Sequence, residues 1–419
     1  MVPRVVLLLL LAAGFVRADF QGATHMVPFD EDTIAYSKTP SRGPVARLQE
    51  LLAKDQLQLT NDAAHGYLAA VLQALKIPPS SQMLVFSKTS FQRERISPKT
   101  PRSLFFNDDV YLGFIPGSPL LELSEADPKL GGVFYTLEQY PAGKPRITRS
   151  DQCLECHASA KTMGVPGHLV RSFVTDEQGV VDLNTGISQV NHRTSIEERW
   201  GGWYVTGTHG KATHRGNLVG REAFENLKDH PELSSNVTNL SRFFETEAYL
   251  SPHSDIVALM VLEHQTHMHN FITRLRFEGT MALQQYGHVK YLNSPTEAFI
   301  KYLLFAEEAP IASPIHGTSS FASDFAKRGP FDKCGRSLRQ FDLNTRLFKF
   351  PCSYLIYSEA FDALPDPLKQ KIYGRLWEIL SGKESAKEYA HLSAETRRAI
   401  IEILAETKKG LPAYWKPGS

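Results

Sequence analysis

The chain has 419 residues with 46 basic and 45 acidic side chains, a formal charge of +1, and it is 42% hydrophobic and 22% charged. Those proportions belong to an ordinary globular protein and exclude a disordered, collagen-like or coiled-coil chain. A charge this close to zero excludes electrostatic recruitment by nucleic acid or an anionic membrane surface, and the length calls for two or three packed units.

Residues 1–18 carry Arg4, an apolar run over 5–16 and a small-residue cleavage site at Val16-Arg17-Ala18. That is the pattern of a secretory signal peptide. The run is about a dozen residues, short of the roughly 20 that span a bilayer. A periplasmic or otherwise exported protein starting near Asp19 is expected, with no membrane span once the signal is removed. Losing Arg4 and Arg17 leaves 44 basic against 45 acidic groups, a charge of −1.

Residues 19–80 read as an N-terminal arm and helices. Pro, Ser and Thr punctuate 19–43. Val45, Leu48, Leu51 and Leu52 then mark one helical face, and Tyr67, Leu68, Val71, Leu72 and Leu75 another, stopped by Pro78-Pro79. Residues 81–216 change to strand-length runs at 83–86, 110–115, 120–123, 133–137 and 146–148, separated by Gly, Pro, Asn and Asp as in an antiparallel sheet. Residues 169–174 and 180–183 flank Asp176-Glu177-Gln178-Gly179 and predict a hairpin, and 203–206 form a further strand after Gly201-Gly202.

Inside this unit stands Cys153-Leu154-Glu155-Cys156-His157. C-x-x-C-H is the attachment pattern of a c-type haem. Two thiols one helical turn apart can each add across a porphyrin vinyl group, and the following His points at the iron as its proximal ligand. With 4 Cys and 15 His in the chain, the pattern arises by chance in roughly one such sequence in a thousand. A zinc knuckle needs a second close pair, whereas Cys334 and Cys352 lie 18 residues apart. A redox C-x-x-C leaves the adjoining His unexplained. Strands on both sides of the motif suggest a sheet of PAS or Cache type rather than a small all-helical cytochrome, an analogy of pattern.

Residues 217–419 return to a helical period. Residues 252–277 form a His-rich helix with His253, His264, His267 and His269. At 3.6 residues per turn Met260, His264, His267, Met268 and Phe271 fall within about 100° of one another, with His269 nearly opposite. His264 and His267 are thus the distal-ligand candidates. The alternatives are core histidines bonded to carboxylates or carbonyls, an acid-base residue beside an open iron, or a non-haem metal shared with Glu263. His209 and His214, on a polar loop, rank second. Met163, His168, His192 and Met260 are further entries in the same competition. Trp200, Trp203 and Tyr204 are candidate haem walls, and Arg171 and Arg193 candidate propionate partners. Further helices are expected at 296–306, from Asp366 as N-cap to Gly382, and from Ser393 to Gly410. Cys334 and Cys352 are either a disulfide, as an oxidising compartment permits, or two free thiols.

Four segments carry a wider resemblance: Phe86-Ser87-Lys88-Thr89-Ser90-Phe91-Gln92, Gly164-Val165-Pro166-Gly167-His168, Glu197-Glu198-Arg199-Trp200-Gly201-Gly202-Trp203-Tyr204-Val205-Thr206-Gly207 and Leu262-Glu263-His264-Gln265-Thr266-His267-Met268-His269-Asn270. With the haem motif they resemble a family of large exported bacterial proteins with one c-type haem, generally called cytochrome c domain proteins. The resemblance implies one covalent haem c on Cys153 and Cys156 with His157 on the iron, and it implies no particular reaction. The expectation is therefore an α+β protein whose antiparallel sheet unit carries a c-type haem between N-terminal and C-terminal helical units, acting in electron transfer with a redox partner protein. The rivals are a haem-based redox or gas sensor and a peroxidase-like haem oxidoreductase with an open distal site.

Overall fold

Successive side chains along the strands of residues 83–149 turn to opposite faces of the sheet, and most residues of the central strands are buried on either face. The structure, a computed structural model, describes residues 25–139, 144–384 and 386–415. The expected signal peptide lies outside the described residues. Strands β1 (Met83–Val85), β2 (Arg102–Phe106), β3 (Val110–Phe114), β4 (Leu120–Asp127), β5 (Gly131–Glu138) and β6 (Ile147–Arg149) form an antiparallel meander in sequential order. After a separate ribbon of β7 (Val170–Ser172) and β8 (Ile187–Val190), β9 (Trp203–Tyr204) returns to pair with β1 as the seventh strand. The architecture is mixed α+β, an antiparallel sheet flanked by helices, as expected.

On one face Phe105, Leu112, Leu123, Val133, Tyr135 and Ile147 pack against the helices Pro44–Ala53 and Leu68–Ala74. The intervening residues, among them Arg102, Phe106, Tyr111, Glu122, Ser124 and Phe134, turn to the opposite face. There Phe106 and Tyr111 join one continuous core with the long helix Ile256–Tyr286 and the C-terminal helices. Across β3, β4 and β5 the register puts Tyr111 beside Ser124 and Ser124 beside Phe134, a lateral row that becomes the floor of the site.

The central helix Ile256–Tyr286 starts four residues later than the pattern predicts and ends nine later. Pro252 is excluded because Ser254 is tied to the sheet, its Oγ accepting from Leu84 N at 2.9 Å and donating to Tyr204 O at 2.6 Å. Asp255 caps the helix by accepting from Val257 N and Ala258 N, and Gly287 ends it in the left-handed region at φ 70°. Every residue from Ile256 to Leu275 is buried. A helix sunk on all sides must find a partner for each polar side chain it carries, which is why its histidines and amides organise their surroundings.

Other expectations shift with tertiary pairing. The turn at residues 176–179 forms, with Asp176 N donating to Val180 O at 3.0 Å and Gly179 at φ 82°. The hairpin is short, with Thr175 bridged to Val181 and Asp182 N donating to Val174 O at 3.0 Å, whereas β7 pairs with β8, and Val180 and Leu183 are exposed. Strand β2, unmarked in the sequence pattern, fills the sheet between β1 and β3. The expected strand at 203–206 is confined to Trp203–Tyr204, and the helix at 296–306 is Asn293–Leu303. Asp366 is the first helical residue of Asp366–Leu380 rather than its cap, with Pro365 before it making no side-chain bond, whereas Ser393 caps Ala394–Thr407 as expected, accepting from Thr396 N at 3.1 Å. Cys334 and Cys352 are free thiols, the first exposed and the second buried. Among the described residues no helix is long and apolar enough to cross a membrane.

Candidate functional site

The C-x-x-C-H stretch is delivered by the sheet edge. Ser150 N donates to Phe134 O at 2.9 Å, tying the end of β6 to β5. The chain then tightens into a turn at Asp151–Cys153 and a single helical turn at Leu154–His157. Cys153 and Cys156 are both free, the first half-buried and the second exposed. Burial pushes the Cys153 thiol up from its ordinary value, and its Sγ lies 3.9 Å from Ser150 Oγ.

His157 is fixed by a reciprocal pair of bonds. Its Nδ1 lies 2.9 Å from Gly167 O, and Gly167 N donates to His157 O at 2.8 Å. A carbonyl only accepts, so the ring proton sits on Nδ1 and Nε2 keeps its lone pair. Nε2 has no hydrogen-bond partner among the described residues. Burial is the first cause holding the His157 pKa below its ordinary value, against the Gly167 bond that raises it. The Phe134 ring lies 4.7 Å away, centroid to centroid. Arg102 and Glu122, joined at 2.6 Å, are close enough to act on the imidazole by charge.

The loop that presents Gly167 fits because glycines line its track. Gly132 N donates to Pro166 O at 2.8 Å. Gly131 sits at φ 74°, and a Cβ there would fall 2.6 Å from Pro166 O and 2.4 Å from Thr273 Cγ2. On Gly167 a Cβ would meet Asn270 Oδ1 at 2.1 Å. Asn270 uses that close approach, accepting from His168 N at 2.9 Å and donating to His168 O at 2.7 Å. The His168 ring lies over the floor of the sheet, Nε2 3.0 Å from Ser124 Oγ and the ring 4.4 Å from Tyr111, while its Nδ1 is buried without a partner.

The two distal candidates face away into the helical core. His264 Nδ1 meets His192 Nδ1 at 2.9 Å and His264 Nε2 meets Ser353 Oγ at 2.7 Å, so both ring nitrogens are engaged. Its ring stacks on Tyr302 and Phe305. His267 accepts from the Gln189 amide at 2.8 Å and packs on Phe271 and Tyr302. His269, on the opposite face as its spacing predicts, accepts from Tyr111 OH at 3.2 Å, and Gln265 Nε2 donates to that hydroxyl at 3.0 Å. The rings beside His157 are Phe134 and His168; those beside His264 and His267 are a different set. Below His264, Arg199 and Glu263 form a fully buried ion pair at 2.8 Å. Burial pushes Glu263 up to about 7 against the pull of Arg199.

The remaining candidates are dispersed. His209 and His214 are both buried, rings 4.7 Å apart, with His214 against Trp200. Met163 takes a left-handed φ of 63° and gives its carbonyl to Arg274, and Met260 is core. Arg193 borders a cavity of about 770 Å³ with Lys301, Phe305, Glu308 and Arg346, remote from the thiols in its lining. Among the described residues no group of three or more His, Cys, Asp or Glu is placed to hold a metal ion. The four segments of the sequence resemblance do converge. Phe86 N and Ser87 N donate to Gly202 O, Arg199 binds Glu263, and His168 binds Asn270. Phe134, the Gly167 carbonyl and the Asn270 amide went unmarked as site residues in the sequence. Comparison with protein-family models, with curated proteins and with solved structures finds no match.

Proposed function

We propose that the protein carries one covalent haem c and works in electron transfer, as an exported protein that exchanges electrons with a redox partner protein. The observation that supports this most is the C-x-x-C-H turn itself: two unpaired thiols a turn apart, followed by an imidazole whose proton is held on Nδ1 and whose Nε2 is free. That donor set fits a haem. Cys153 and Cys156 would form the thioethers, His157 would give Nε2 to the iron, and Gly167 would fix the ring's rotation, as a carbonyl commonly does for a metal-bound histidine. Haem supplies a one-electron ferric/ferrous couple. Phe134 adds an apolar contact on the imidazole, and the Arg102–Glu122 pair places balanced charge nearby. The meander would then be the haem-bearing sheet, and a PAS or Cache type is proposed for it from the strands on both sides of the motif.

The test is export of the chain with c-type haem maturation supplied. Wild type should retain haem through acid-acetone extraction, and Cys153→Ala with Cys156→Ala should not. Haem that resists extraction from that double variant, or a wild type without covalent haem, ends the reading. Oxidised and reduced spectra with and without carbon monoxide then test electron transfer: a low-spin spectrum that the gas leaves unmoved requires a second axial ligand other than His264 or His267 and supports a carrier, and a gas-sensitive spectrum counts against one.

A further inference from the structure

Arg171 lies on β7, three residues beyond His168, with its backbone held firmly. Trp203 Nε1 donates to Arg171 O at 2.8 Å, and Val170 and Ser172 on either side pair with β8. The guanidinium stacks over the Phe173 ring at 4.5 Å. Its Nε is enclosed without an acceptor, and the guanidinium makes no hydrogen bond or ion pair among the described residues. The other guanidiniums near the motif are matched: Arg102 binds Glu122 at 2.6 Å and Arg149 binds Asp151 at 3.0 Å. Three residues upstream the His168 ring lies 6.4 Å from that of His157, and Gly167 bonds His157 at 2.9 Å, which places the start of β7 beside the motif. A partly desolvated cation without a counter-charge is costly, and a guanidinium is shaped to take a carboxylate through two parallel bonds. An anionic group on a ligand held at Cys153, Cys156 and His157 would supply the counter-charge that Arg171 lacks.

We infer that Arg171 is a carboxylate-binding residue that pairs with a propionate of the haem. This rests on the haem reading of the motif and adds to it a residue outside the attachment sequence. The pairing would hold the propionate side of the porphyrin, which the thioether bonds of Cys153 and Cys156 do not reach. It also sets a positive charge near the iron that favours the ferrous state.

The test compares wild type, Arg171→Ala, Arg171→Lys and the exposed-site control Arg398→Ala, each exported with haem maturation supplied, by redox titration and resonance Raman spectroscopy. Thioether attachment should persist in all four. Arg171→Ala should lower the midpoint potential, because losing a nearby cation stabilises the ferric state, and should move the propionate bending mode. Arg171→Lys should keep part of the potential and not the bidentate signature, and Arg398→Ala should match wild type. Haem-loaded Arg171→Ala with the potential and propionate mode of wild type overturns the assignment and leaves the haem reading standing. Wild type lacking covalent haem overturns both.

Discussion

Asn270 grips the peptide of His168 from both sides, accepting from its N–H at 2.9 Å and donating to its carbonyl at 2.7 Å, across 102 residues of chain. Gly167, the residue just before, orients His157. The central helix therefore sets the angle of the imidazole without touching it. Asn270→Ala should cost about 1–3 kcal/mol through the unpaired peptide it leaves buried. It should also alter the axial-ligand bands of the haem-loaded protein. Gly167→Ala, whose Cβ would strike Asn270 Oδ1, should alter the same bands. Leu404→Ala, a core truncation in the last helix, should destabilise the fold and leave them unmoved. Unchanged bands in both site variants would separate Asn270 from the imidazole.

His264→Ala removes a ring bonded to His192 and Ser353 and stacked on Tyr302. The expected result is a drop in unfolding free energy of about 2–4 kcal/mol, the range of a large-to-small change in a packed core, with the iron spin state unchanged. The same holds for His267→Ala. A spin-state change in either variant would move that ring to the iron.

The Arg199–Glu263 pair is sealed from solvent. Glu263→Ala should cost about 3–5 kcal/mol, because Arg199 is left as an uncompensated buried charge. Arg199→Met combined with Glu263→Leu should recover much of that loss in a denaturant titration, since removing both charges removes the desolvation problem. A double variant weaker than either single one would contradict this account.

Burial holds His214 and His267 down to about 3 and His269 down to about 4, below the ordinary value of 6.5. Their folded pKa values lie below those of the unfolded chain. Their neutral forms thus contribute stability that is complete above pH about 6.5 and is lost as pH falls towards 3–4. Each contributes a slope of up to about 1.4 kcal/mol per pH unit in that window. The melting temperature should therefore decline on acidification below pH about 6.5, and His214→Gln should flatten the decline. A melting temperature flat from pH 7 to 5 would show these rings to be solvated.

Local chemistry was legible in the sequence. Ser393 acts within a turn of the residues it caps, and Gly179 takes the left-handed angle its turn requires. Partners chosen by tertiary packing were not. The arm at 180–183 pairs only through Val181 and Asp182 beside the turn, and the longer ladder of Val170–Ser172 forms with Ile187–Val190. In β2, the run Arg102-Ser-Leu-Phe-Phe hides its period, because Arg102 turns inward to pair with Glu122 rather than to solvent. At the site the thiols and His157 were legible, being contiguous. Gly167 contributes a backbone carbonyl that any residue possesses, and Phe134 and Asn270 arrive from β5 and the central helix, so no spacing announces them.

The reciprocal bonds between His157 and Gly167 close only ten residues of chain. A loop of that size meets its own ends in about 10–100 ns, without waiting for remote segments. The Asn270 contact, by contrast, requires the meander, the β7–β8 ribbon and the central helix to have met. Time thus divides the site into an early part and a late part. An emerging chain can offer both thiols and the imidazole on one local turn while the rest is still unfolded, and docking of the central helix then fixes that turn in its final orientation.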